Sequence, residues 1–557
     1  MKAINKIFMG MGLLAMGSLF GSCIGDLDVP VKDPNQLTPE EFAKDPDAYL
    51  NRGISEVFQG ITTSSPWGEG SSILGFGDAG AGTFSRTVFN IEEMSTDNYS
   101  WLQFNDAGYY ELVTMNLAPD NEIMYMNYSR LYSIIALCNQ FIRTVNSGAY
   151  LLEGNADRAA RAADYVRQAK VVRGLAYYYA ISAYGNIGYI DESAPAGTAP
   201  TQYTREDAFN MIVSSLEDVS EDWGASYTTP AYGYVGKEAC DALLTRFYLN
   251  AETWTGTPMY DKCWTLCQKI IANHAGGYEN SGLADSYKAL FGANNYEYAA
   301  QGARTNEIIW TLPQESMSLK SYGNSTFYIA SVCGSYDGIS SIGDCNLTEQ
   351  WTCMVARQQL SEMFGFDKDG YSLDLRAELW KTSKDGFVID NNTIMGNAGY
   401  GQGYAPLKWT NYAYDEFGNI DEDATPVASS FASADWPEIR LAEVYLNAAE
   451  AQIIGGAGSQ NEALKYINFI RGRAGVDPWG VADMTADNIL TERDRELYGE
   501  NDRRTALVRH GKYAGGAYLW NWKGGTQHGT ATPEHMNLFP IPIKVISFSK
   551  YKQNPGY

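Results

Sequence analysis

Between residues 121 and 273, apolar side chains recur at three- and four-residue steps in long runs, and the runs come in pairs. That period places the apolar residues of each run on one helical face, which must be buried against another element. Residues 121–146 and 157–184 form the first pair, joined by a Gly-containing turn. In the second run Val171, Leu175, Tyr178, Tyr179 and Ser182 share a side, and Gly185 with Asn186 ends it. Residues 205–223, opened by Thr204 as N-cap, and 237–254 form the next pair, and 260–273 follows Pro258. Helical periodicity returns at 437–454, 461–472 and 488–511. The Ala-rich stretch LAEVYLNAAEAQ (441–452) lets neighbouring helices approach closely. The expected fold class is mainly α, a tetratricopeptide-like scaffold of stacked helix pairs with a long loop-rich part attached.

The rest of the chain divides around that scaffold. Residues 60–105 are rich in Gly and Ser and read as loops and short extended pieces. Residues 276–430 lose the helical period and gain Gly, Tyr, Asn and Asp, which marks a long insertion. The scaffold therefore lies mainly in 121–275 and 436–515, and the loop-rich part mainly in 60–120 and 276–430. Together they form a single body over 23–557, with the polar, Pro-bearing residues 24–50 as a tether.

At the N-terminus, Lys2 and Lys6 precede an apolar run (7–20) too short to span a bilayer, then Gly21, Ser22 and Cys23. This is the pattern of a secretory signal peptide over 1–22. A cysteine placed directly after the small pair resembles a bacterial lipobox, with Phe20 where that pattern usually has Leu. Cys23 is then the lipidated first residue of the mature chain, and several acyl chains on it give stable anchoring. Asp26 and Asp28 resemble a surface-export signal of such lipoproteins.

Charge narrows the partners. Lys and Arg total 41 against 66 Asp and Glu, a net charge of −25, which repels nucleic acid and anionic lipid. The 39 Tyr and 13 Trp suit sugar binding, since flat rings stack on the apolar faces of pyranoses, although most aromatics in any chain are core. Eight cysteines leave seven if Cys23 is lipidated, so at least one is unpaired. No CxxC occurs and the four His are scattered, so no zinc site is expected and the cysteines read mainly as small core residues. Gly75, Gly77 and Gly80 match GxGxxG, but no strand precedes them and no helix is expected after them. Residues 415–423 (DEFGNIDED) are oxygen-rich enough for structural calcium, yet lack EF-hand spacing and read as a solvated acidic loop. No cofactor is expected.

Long motifs spread over the chain resemble the SusD/RagB family of outer-membrane lipoproteins, most nearly its starch-binding member. They are RQAKVVRGLAYYYAISAYGNIG (167–188), WPEIRLAEVYLNAAEAQ (436–452), LTERDRELYGENDRRTALVRHGKY (490–513), YLWNWKGG (518–525) and LFPIPIKVISFSKYKQNPGY (538–557). The resemblance implies a non-catalytic, lipid-anchored protein on the outer-membrane surface. It would bind starch-type α-glucan and hand it to a SusC-like TonB-dependent transporter. Rival readings are the same role for another plant or host polysaccharide, or a surface glycoside hydrolase. Most of the motifs are structural. In ERDRELYGENDRR, charges three and four apart pair along a helix, so Glu492, Arg493, Glu496 and Glu500 read as a solvated, salt-linked face.

Site residues follow from the same resemblance. The segment 75–98 places Asp78 and Arg86 as an acid and an arginine for sugar hydroxyls, with a local salt bridge as the alternative. In NYSWLQFND (98–106) two registers fit: Trp101 with Asn105 as aromatic platform and amide, or Gln103 with Asp106, which removes the platform. SLKSYGNSTFYIASVCG (318–334) places Tyr322, and TEQWTCMVAR (348–357) places Trp351, as further rings; burial beneath the loops is the alternative for both.

Overall fold

The computed structural model describes residues 39–63, 80–103, 106–336, 339–342, 345–389 and 403–557. The signal segment, Cys23, Asp78 and Asn105 lie outside these residues. Helix begins earlier than the composition indicates. After a helical turn at Pro39–Lys44, the Asp45 carboxylate accepts the Ala48 amide at 3.0 Å and opens α1 (Pro46–Thr62), with Pro at its first turn. The tether reading of 24–50 is therefore corrected from Pro39 onward. Leu50, Ile54, Val57, Phe58 and Ile61 form the buried stripe of α1, each contributing about 2 kcal/mol by burial. The Gly- and Ser-rich stretch is also partly helical, another correction: α2 (Phe84–Phe89) runs into one π-helical turn at Asn90–Met94, ahead of β1 (Tyr99–Trp101).

The first helix pair is α3 (Glu122–Asn146) and α4 (Ala156–Tyr184). Asn121 accepts the amides of Ile123 and Met124 at 3.0 and 3.2 Å, and Asn155 caps α4. Gly185, at φ 64°, ends α4 in a conformation that side chains resist. The second pair is α5 (Arg205–Asp222), capped by Thr204 on the Asp207 amide at 3.1 Å, and α6 (Lys237–Thr255). Then α7 (Tyr260–Ile271) packs on α6. The chain next leaves the stack through β2 (Ile308–Leu312), α8 (Asn324–Val332) and β3 (Met354–Ala356), and returns at β4 (Trp436–Arg440). Strand β1 pairs antiparallel with β3, and β2 with β4. Helix α9 (Leu441–Gly455) packs directly on α7, so the stack closes as though the insertion were absent. Helices α10 (Gln460–Arg473), α11 (Ala486–Leu497) and α12 (Arg503–Arg509) complete it. The fold is mainly α, a helix-pair scaffold with a loop-rich insertion, as expected. Among the described residues no helix is long and apolar enough to cross a membrane.

Two helix boundaries differ from expectation. Residues 436–440 form a strand rather than a helix start, because Pro437 holds Trp436 extended and the segment pairs antiparallel with β2. The single helix expected over 488–511 is two, broken where Gly499 and Asn501 take φ of 76° and 67°.

The largest correction concerns charge. Glu492, Arg493, Glu496 and Glu500 are buried, not solvated. Glu496 of α11 accepts from Arg440 at 2.6 Å, from Arg376 at 3.3 Å, and from Arg473. Glu307, just before β2, bonds Arg440 at 3.1 Å and Arg473 at 2.6 Å. Arg440 also donates to Glu500 at 2.7 Å, and Arg376 to Glu492 at 2.8 Å. Glu307 and Arg376 come from the insertion, while Arg440, Arg473, Glu492, Glu496 and Glu500 belong to β4 and the returning helices. The network is the joint between scaffold and insertion.

A second buried group predicts an unusual pH response. Asn98 donates to Glu93 at 2.8 Å and to Asp494 at 2.9 Å, holding two carboxylates together. Burial, with Asp494 beside it, pushes Glu93 up to about 8. A carboxylate with a raised folded pKa binds its proton more tightly when folded. Its stabilising contribution is full below its ordinary value of 4.5 and is lost as pH rises through about 8. Urea unfolding should therefore show stability falling by on the order of 2–4 kcal/mol between pH 5 and 8. Glu93→Gln should make that slope shallower but not abolish it, because burial also raises Asp494 and Asp435 to about 7; an unchanged slope in the variant would remove Glu93 as a source.

Candidate ligand-binding cleft

Four segments meet around Arg86. The pairing of β1 with β3 sets Trp101 opposite Met354, and the Leu102 amide donates to the Cys353 carbonyl at 2.7 Å. Immediately before β3, the Trp351 and Cys353 amides donate to Ala330 and Ser331 of α8 at 2.6 and 2.9 Å. Tyr322 lies just ahead of α8, so the same helix fixes both rings. Their centroids are 6.3 Å apart and the planes meet at 38°; both rings are partly exposed. A disulfide between Cys333 and Cys345, both buried, clips the chain between α8 and Trp351. Cys138, Cys240, Cys263, Cys267 and Cys353 remain buried thiols.

These residues enclose a cleft of about 400 Å³ lined by Arg86, Trp101, Gln103, Asp106, Tyr322, Glu349, Trp351 and Cys353. Arg86, on α2, is buried beneath the rings. Its guanidinium carbon lies 5.0 Å from the Phe327 ring, 5.6 Å from Trp351 and 5.9 Å from Trp101, and it reaches the Tyr109 hydroxyl at 3.5 Å. Trp101 is 2% exposed and stacked on Tyr109 at 4.3 Å and 10°, with its indole N–H on Asp106 at 2.9 Å. Trp101 is thus a wall of the cleft rather than an open platform. Gln103 donates to the Trp351 carbonyl at 3.3 Å, so Trp101, Gln103 and Asp106, drawn from both registers of NYSWLQFND, share the cleft.

Two contributors escaped the sequence reading. Glu349 accepts the Trp351 indole N–H at 3.1 Å, and its place in TEQW was a usable signal. Phe431 backs Tyr322 at 4.7 Å, but it lies 109 residues further along the chain, and no local pattern marks it. Chemically, the cleft offers two tilted rings at its mouth, one guanidinium edge, and carboxylate and amide groups around them. That set stacks a flat apolar face and bonds hydroxyls. Elsewhere, the Asp415 carboxylate of the acidic loop accepts the Phe417 and Asn419 amides at 2.9 and 2.8 Å. Among the described residues no group of three or more His, Cys, Asp or Glu could hold a metal ion.

A stack of helix pairs whose recognition surface is built by an insertion defines a class of helical-repeat proteins in which scaffold and cleft are separate parts. Residues 369–557 match the model of the SusD family. Over its full length the chain is 27% identical to the starch-binding protein SusD of Bacteroides thetaiotaomicron, covering 99% of that protein. A SusD superfamily protein from Bacteroides vulgatus superposes with a TM-score of 0.64 at 19% identity, over 92% of this chain and 99% of that one. Surface glycan-binding protein A from Bacteroides thetaiotaomicron, in complex with laminarihexaose, gives 0.62 at 19% identity, over 91% and 99%. The match to the SusD family model falls on the C-terminal third of the chain, and the likeness to SusD itself runs along its whole length.

Proposed function

We propose that this chain is a cell-surface glycan-binding lipoprotein that captures starch-type α-glucan oligosaccharides in the Arg86 cleft and delivers them to a SusC-like TonB-dependent transporter. In this reading Cys23 carries the lipid that holds the protein on the outer membrane. The observation that supports it is the tilted pair Tyr322 and Trp351, 6.3 Å apart on segments fixed by one helix. Rings at an angle follow a curved chain of sugars better than coplanar ones. Asp106 and Glu349 each accept an indole N–H and so support the rings; in this reading the protein binds its ligand without chemistry. The likeness to SusD, a starch-binding protein, favours α-glucan over other glycans. Affinity electrophoresis decides it: migration should be retarded in amylopectin gels and not in xylan or mannan gels. Equal migration in amylopectin and blank gels would remove α-glucan as the ligand.

A further inference from the structure

A larger cleft of about 1350 Å³ shares no lining residue with the first. It lies between the first half of α3, residues 199–204 ahead of α5, and the C-terminal segment 544–555. Lys544, Lys550 and Lys552 line it, and among the described residues no Asp or Glu does. On a chain of net charge −25, a cleft with three ammonium groups and no carboxylate is a local reversal of sign that concentrates anions. Ring faces are present as well. Tyr125 and Tyr203 form part of the wall, and Phe548 at the mouth is 94% exposed. The Lys544 ammonium sits over the Tyr125 ring at 4.4 Å, which covers that face but holds the charge at the cleft wall, leaving Tyr203 and Phe548 as the ring surfaces. Ser129, Thr201 and Ser547 add hydroxyls. Rings alone would suit an apolar segment, and lysines alone would suit any anion. Rings, hydroxyls and lysines in one cleft fit a ligand that is flat-faced, hydroxyl-rich and negatively charged.

We propose that this cleft is a second carbohydrate site, selective for anionic oligosaccharides whose charge is a uronate carboxylate or a sulfate ester. The site uses none of the residues of the Arg86 cleft and stands or falls apart from it. The experiment is isothermal titration calorimetry on the purified protein with tetragalacturonate, a chondroitin sulfate tetrasaccharide, neutral maltohexaose and a hexaglutamate peptide. The two anionic sugars separate carboxylate from sulfate recognition. At least one of them should bind with a Kd below about 1 mM at low salt, weakening as salt screens the lysines. The triple substitution Lys544→Gln, Lys550→Gln, Lys552→Gln should weaken that binding about tenfold or more, and Phe548→Ala should weaken it too. Trp351→Ala should leave it unchanged. A thermal melt of each variant confirms that it is folded. No binding of either anionic sugar, undiminished binding by the triple variant, or tighter binding of hexaglutamate than of both sugars would each overturn the proposal.

Discussion

Glu496→Ala is expected to cost about 3–5 kcal/mol of unfolding free energy. The side chain is buried, and Arg376, Arg440 and Arg473 all donate to it. Removing its charge leaves three guanidinium groups in a dry interior, each short of one acceptor, with only Glu307, Glu492, Glu500 and Asp374 left to balance them. Glu496→Gln keeps an acceptor but not the charge and should fall between wild type and alanine. Asp487, whose partner Lys512 lies at the surface of the same helical region, is the control: Asp487→Ala should change stability by no more than about 0.5 kcal/mol. Urea denaturation of the four proteins at pH 7 measures this. Equal small losses at Glu496 and Asp487 would show that the joint contributes nothing.

The same residue fixes the acid limb of stability. Burial alone would raise the Glu496 carboxyl, but Arg473, Arg440 and Arg376 override it and hold it down at about 2. Its contribution is present above the ordinary value of 4.5 and is lost as pH falls through about 2. Glu93 works in the opposite direction on the alkaline side. The two together place the stability maximum in mildly acidic solution.

Helix pairs were legible because their signals are local. The stripe Val171, Leu175, Tyr178, the Thr204 and Asn121 caps and the Gly185 stop are all set within a few residues. The ionic joint was not legible. A three- and four-residue spacing of charges looks the same whether water or other charges lie opposite, and the partners of Glu496 are 23 to 120 residues away. The strand at 436–440 failed for a related reason: all five residues are buried, so no alternation distinguishes it from a helix start. For the cleft, the family resemblance supplied Arg86, Trp101, Tyr322 and Trp351, and the structure draws all four to one cavity. It did not supply their exposure. That Trp101 is a wall while Trp351 is open depends on Tyr109, Asp106 and α8 packing around them.

That difference in exposure makes the binding site testable without confusing recognition with folding. Tyr322→Ala with Trp351→Ala removes two partly exposed rings, so the melting temperature should change little, while each lost stacking contact costs about 1–2 kcal/mol of binding. The double variant should bind between about 30- and 1,000-fold more weakly. From a micromolar to millimolar starting affinity, that abolishes retardation in amylopectin gels. Trp101→Ala should behave in reverse. Its ring is buried against Tyr109, so truncation leaves a cavity and should destabilise by about 3 kcal/mol. Loss of binding there would follow from the loosened wall. Arg86→Lys separates the remaining role: a lysine keeps the charge beneath the rings but not the planar edge, so binding should weaken while the fold holds. If the double variant is retarded like wild type while its melt is unchanged, the rings at this cleft do not hold α-glucan, whatever the family resemblance implies.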